Sequence, residues 1–127
     1  MGTYTEFHYN VELREDTPEI ITEILQQMIS GNGVVKLLPD HPLFQTSRWS
    51  VMLQCDSYYF AATTYCTLQY DDIANLYFLN IRCNLKNYDN EIEKFCDWVR
   101  PFIDKEKGDF LGFSRYEETE IPTLIYA

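Results

Sequence analysis

The sequence predicts a two-layer α+β sandwich: a mostly antiparallel sheet with two helices on one face, in the order β-α-β-β-β-β-α-β-β. Three observations carry this expectation. Two segments repeat apolar residues at i, i+3, i+4 spacing, and several others alternate apolar with polar residues. The chain has 127 residues, 46% of them hydrophobic and 24% charged, the composition of an ordinary globular domain. A chain of this length buries about two-thirds of its surface on folding, so residues 1–127 are expected to form one domain without metal or disulfide staples.

The elements follow in order. From Thr3 to Leu13, Phe7, Tyr9, Val11 and Leu13 face one way and Glu6, His8, Asn10 and Glu12 the other, which describes a half-buried strand. Asp16-Thr17-Pro18-Glu19 is a helix start, with Thr17 capping ahead of Pro18 or Asp16 capping with Glu19 as its partner. Ile20, Ile21, Ile24, Leu25, Met28 and Ile29 form its apolar stripe, and Gly31-Asn32-Gly33 ends it. Val34 to Ser47, with Pro39 and Pro42, reads as an irregular connection. Short strands are expected at Trp49–Leu53 and Tyr58–Ala62, separated by a turn at Cys55-Asp56-Ser57, then at Tyr65–Tyr70. Leu76–Lys86 is the clearest strand, with Tyr77, Leu79, Ile81, Cys83 and Leu85 on one face and Phe78 as the exception on the other.

Asn87 to Asn90 offers caps for a second helix, striped by Ile92, Phe95, Cys96, Val99, Phe102 and Ile103 and kinked or ended near Pro101. Phe110–Glu118 and Ile121–Tyr126 read as a closing hairpin with Thr119-Glu120 at its tip, and Pro122 points to an edge position.

Ten basic and twenty acidic side chains give a net charge of −10. Nucleic-acid backbone is therefore an unfavourable partner, as is an anionic membrane surface. No stretch approaches the roughly 18 apolar residues of a spanning helix. The chain begins without the basic and apolar regions of a secretory signal, and the expected location is cytoplasmic. Met1-Gly2 is not a myristoylation start, because Glu6 stands where that motif needs Ser or Thr. Cys55, Cys66, Cys83 and Cys96 contain no CxxC pair and are expected to be reduced, with Cys83 and Cys96 on core faces.

No pattern specifies catalysis. His8 and His41 lie in different segments and complete no metal motif, so no metal and no cofactor is expected. Gly31-Asn32-Gly33 lacks the lysine and following helix of a phosphate loop. Asp71-Asp72 and Glu117-Glu118 are adjacent acids in turns, where solvation outweighs acid–base work. Catalytic residues are none, and an enzyme stays the third option.

The polar face of the sheet is the more informative surface. His8, Asn10, Asn80, Arg82, Asn84 and Lys86 are expected on it, with Arg48, Trp49 and Arg115 as neighbours. Arg and Trp recur at binding hot spots, which makes His8, Arg48, Trp49, Arg82 and Arg115 the recognition candidates. The charge excess sits in residues 12–23 (−4), 89–97 (−3) and 104–120 (−3). Glu117, Glu118 and Glu120 are thus the acidic alternative. The aromatic segments Tyr4/Phe7/Tyr9 and Ser57-Tyr58-Tyr59-Phe60 are expected to build core, and exposed clustering there would argue for a partner interface.

Pro42-Leu43-Phe44, Ser47-Arg48-Trp49-Ser50, Ser57-Tyr58-Tyr59-Phe60, Arg82-Cys83-Asn84-Leu85-Lys86-Asn87-Tyr88 and Pro122-Thr123-Leu124-Ile125-Tyr126 span nearly the whole chain. Together they resemble a family of small, uncharacterised acidic bacterial and phage-type proteins. The resemblance implies no activity, cofactor or catalytic residue, but a mobile-element origin favours an inhibitor or decoy of a host protein. The expectation is a small acidic binding protein that engages a protein partner. The alternative is a small polar or anionic ligand on the open sheet face.

Overall fold

The computed structural model describes residues 3–31 and 37–127. Its elements are β1 (Thr5–Arg14), α1 (Glu19–Ser30), β2 (Thr67–Asp71), β3 (Leu76–Leu85), α2 (Glu91–Val99), β4 (Phe110–Tyr116) and β5 (Thr123–Tyr126). The five strands form one antiparallel sheet in the order β2-β3-β1-β4-β5. The architecture is the expected α+β sandwich with both helices on one face.

β1 is central, paired with β3 along one edge and with β4 along the other. Phe7, Tyr9, Val11 and Leu13 are buried with Leu79, Ile81, Cys83 and Leu85 of β3 and with the apolar stripes of both helices in one core. Register follows from that burial: Phe7 stands opposite Cys83, Tyr9 opposite Ile81, Val11 opposite Leu79. A one-residue slip would turn every one of these side chains to the polar face. α2 crosses over β1 between β3 and β4, where Phe95 meets Phe7 and Tyr9 edge-on at 6.0 and 6.1 Å. β4 pairs with β1 only from Thr5 to Tyr9; beyond that, Ile103 bridges Leu13 and the Asp104 N–H donates to the Glu12 carbonyl.

Helix ends differ in detail from the sequence reading. Pro18 is the N-cap of α1, and the Thr17 hydroxyl donates instead to the Arg14 carbonyl at 2.6 Å, closing the turn out of β1. Gly31 ends the helix with φ +75° and donates to Gln27, the left-handed cap that glycine accepts without a Cβ clash. Asn32, Gly33 and the start of the Val34–Ser47 connection lie outside the described residues, as does Met1-Gly2. At α2 the Asn87 side-chain oxygen accepts from the Ile92 N–H, and Pro101 follows the helix end in a 3-10 turn at Arg100–Phe102.

Two expected strands are not strands. Trp49–Val51 is a 3-10 turn: the Val51 N–H donates to the Arg48 carbonyl and the Met52 N–H to the Trp49 carbonyl, so these donors are used locally and not in a ladder. Tyr58–Ala62 lies in a loop of turns and bends. Its aromatic run looks like strand composition, but Tyr58 and Tyr59 are exposed and only Phe60 is buried. Phe60 is absent from the main core.

Gly112 sits in a β-bulge where β4 meets β5, opposite Tyr9 of β1. A Cβ there would stand 1.9 Å from the His8 carbonyl oxygen. Gly112→Ala is expected to cost about 3 kcal/mol or more, because the clash is with backbone. Gly31→Ala should cost only about 1 kcal/mol, the typical penalty for a left-handed cap. Urea denaturation midpoints of the two variants test the ranking.

Candidate functional site

The polar face of the sheet is built by register. Glu6, His8 and Asn10 of β1 stand opposite Asn84, Arg82 and Asn80 of β3, and Glu6 and His8 stand opposite Arg115 and Phe113 of β4. Glu6, only 8% exposed, accepts from the Arg115 Nε at 2.8 Å, and its other oxygen is 3.5 Å from the His8 Nε2. The His8 ring stacks on Phe113 with centroids 4.6 Å apart and planes 10° apart.

The segment between Cys55 and Tyr65 folds over one end of this face and is fastened to it. The Arg82 Nε donates to the Thr63 carbonyl at 2.8 Å. The buried Asn84 amide donates to Asp56 Oδ1 at 2.9 Å and to the Ala62 carbonyl at 3.2 Å. At the base, the Thr64 hydroxyl donates to the Cys55 carbonyl, the Asn84 N–H also donates to Cys55, and the Tyr65 N–H donates to the Arg82 carbonyl at 2.7 Å. Phe60 is buried with the Arg115 guanidinium 5.3 Å above its ring. The Tyr59 hydroxyl donates to the Glu117 carbonyl at 2.8 Å, tying the loop to the residue after β4. The Asn84 amide, and then the Ser57 N–H, hold the Asp56 carboxyl below the ordinary carboxylate range, so it is charged at neutral pH.

Between this loop, Tyr4 and Glu117 lies a cleft of about 590 Å³. Tyr58 stands at it fully exposed, at 108% of its reference surface, and makes no hydrogen bond or ring contact among the described residues. Glu117 accepts from the Tyr4 N–H at 3.0 Å. Glu118 and Glu120 are exposed in the turn that follows, and among the described residues neither joins an ion pair.

The sequence-predicted residues therefore separate into three places. His8, Arg82 and Arg115 share the polar face, and each is engaged: His8 with Phe113, Arg82 with Thr63, Arg115 with Glu6 and Phe60. Arg48 and Trp49 lie by the start of α2 instead. Arg48 is 3.6 Å from Glu91, a carboxylate 1% exposed that also accepts from the Asp89 N–H, and it stands over the Tyr88 ring at 5.3 Å. Trp49 meets Phe44 edge-on at 4.9 Å and packs against the core. Glu117, Glu118 and Glu120 form the acidic turn beside the cleft. Sequence reasoning favoured the core for Tyr58, with exposure as the sign of a partner interface, and Tyr58 and Tyr59 are exposed; it had Asp56 only as a turn residue and missed the cleft itself. The available signal was the Asp-Ser pair ahead of three aromatics that do not alternate with polar residues.

The four cysteines are free. Cys83 and Cys96 are buried, and burial pushes the Cys96 thiol up to about 12. A hydrogen bond from the Cys83 thiol lowers Cys66, while the same contact and complete burial raise Cys83. Burial also raises the half-buried Cys55. Among the described residues, no group of three or more His, Cys, Asp or Glu side chains is placed to hold a metal ion. No described helix is long and apolar enough to cross a membrane.

No protein-family model matches the chain, and comparison with curated proteins and with solved structures finds no match.

Two outcomes follow from this geometry. Arg115→Ala strands the Glu6 carboxylate under the sheet's neighbours and should cost about 2 kcal/mol, less than a fully buried pair because Arg115 is partly exposed. Adding Glu6→Gln should recover about half, and a double-mutant cycle in urea measures it. Timed alkylation followed by mass spectrometry should modify Cys66 first and Cys55 second, with Cys83 and Cys96 protected until unfolding.

Proposed function

We propose that this chain is a small acidic cytoplasmic binding protein, a protein-interaction or inhibitor module that acts by contact. The observation that carries the reading is the pairing of an acidic turn with a fastened aromatic loop. Glu118 and Glu120 are exposed and, among the described residues, join no ion pair; Tyr58 and Tyr59 stand beside them on a loop held by Arg82, Asn84 and Arg115. Preorganised loops lose little entropy on binding, and aromatic side chains supply most of the energy at such contacts. Unpaired carboxylates add rate and selectivity toward a basic surface.

A small anion on the open face is the weaker alternative, because the guanidinium groups of Arg82 and Arg115 are already committed to Thr63 and Glu6.

Affinity capture from the native host at low salt is expected to retain a basic protein. Raising the salt to about 300 mM should weaken the complex roughly tenfold, since exposed charges are screened beyond a few ångströms. Reversing charge with Glu118→Lys and Glu120→Lys should abolish capture with little change in Tm. Capture of no partner together with a thermal shift from one metabolite would overturn the reading.

A further inference from the structure

The cleft by Tyr58 has a chemistry narrower than "acidic surface". Its lining includes Tyr4, Tyr58, Tyr59 and Phe60 and the carboxylates of Asp56 and Glu117, with no lysine or arginine among the lining residues. The face of an aromatic ring attracts a cation through its quadrupole, and a nearby carboxylate strengthens that preference. The fold already uses two of these rings in that way. The Lys86 ammonium lies 5.8 Å from the Tyr4 centroid, and the Arg115 guanidinium lies 5.3 Å from the Phe60 centroid. Tyr58 is the lining ring that makes no hydrogen bond, ring or cation contact among the described residues and stands fully in solvent. Asp56 is held ionised by Asn84 and Ser57, which also fix its direction.

We propose that this cleft is the recognition pocket for an arginine side chain on a basic segment of the partner, an assignment that rests on the interaction-module reading. Arginine fits better than lysine because its planar guanidinium stacks on a tyrosine face while its N–H fork reaches a carboxylate. An acidic side chain would meet the like charges of two carboxylates, and a neutral one would gain nothing from them. The cleft volume of about 590 Å³ leaves room for the side chain and its flanking backbone.

The test is a titration of the ¹⁵N-labelled protein with acetyl-Gly-Arg-Gly-amide, its citrulline counterpart and its glutamate counterpart. Citrulline keeps the shape of arginine and removes the charge. The expected result is amide shifts concentrated at residues 56–63 and 117 with the arginine peptide. Binding of the citrulline peptide should be at least tenfold weaker, and none is expected for glutamate. Tyr58→Ala should weaken the arginine peptide at least fivefold without lowering Tm, since its side chain is exposed and makes no hydrogen bond among the described residues. Asp56→Asn should weaken it at least as much and also lower Tm, because Asp56 accepts from Asn84 and Ser57.

Equal binding of the citrulline peptide, shifts confined to another surface, or no shifts at millimolar peptide would overturn the proposal. Retention of the captured partner by Tyr58→Ala and Asp56→Asn would overturn the pocket while leaving the interaction module standing. Arginine binding in the cleft without any captured protein would do the reverse.

Discussion

Everything in this fold depends on β1 being buried on one face and paired on both edges. Its odd-numbered residues from Phe7 to Leu13 form the floor on which both helices pack. Its even-numbered residues Glu6 and His8 set what the opposite face can hold. Because side chains alternate strictly along a strand, fixing the core fixes the polar face with the same register. Glu6 is thereby placed between Asn84 and Arg115, where a carboxylate excluded from most of its water needs a cation.

That requirement explains why the polar face is not simply solvated. Arg115 neutralises Glu6 and in turn sets its guanidinium over the Phe60 ring. Arg82 and Asn84 use side-chain donors to satisfy carbonyls of the 56–63 loop, which has no ladder of its own. The result is a loop with few regular backbone bonds that is nonetheless positioned by the sheet. Such a loop can present Tyr58 to solvent at low entropic cost, which a freely moving loop could not. Part of the −10 charge acts on top of this geometry, at the turn from Glu117 to Glu120, where Glu118 and Glu120 join no ion pair among the described residues and Glu117 accepts from the Tyr4 N–H ahead of the first strand.

The legible parts of the sequence were those in which one physical demand repeats. Ile21, Ile24, Leu25 and Met28 recur at helical spacing because one side of α1 must be apolar, and Tyr77 to Leu85 alternate because one face of β3 must be. The loop was illegible for the opposite reason. Ser57-Tyr58-Tyr59-Phe60 has strand-like composition, but each of its aromatics meets a different environment: solvent, the Glu117 carbonyl and the Arg115 guanidinium. Composition cannot distinguish these, since a tyrosine is equally suited to a core, a rim or a binding surface. Among the site candidates, identity was readable and allegiance was not. Arg48 and Arg82 are both plausible hot-spot residues in the sequence. One holds the buried Glu91 beside α2, and the other holds a loop across the sheet.

The sequence by itself determined the α+β class, the two helices, the alternating strand ahead of each helix and the acidity of the protein. Each of these follows from local periodicity or from composition, which need no knowledge of distant neighbours. Only the tertiary structure decided that β1 lies between β3 and β4, that residues 56–63 cover the polar face, and that Tyr4, Asp56, Tyr58 and Glu117 border one cleft. Those residues are brought together from positions more than 100 apart in the chain, as the Tyr4–Glu117 bond shows with a separation of 113. Such a meeting is set by strand pairing and loop closure, and no short window of sequence carries it.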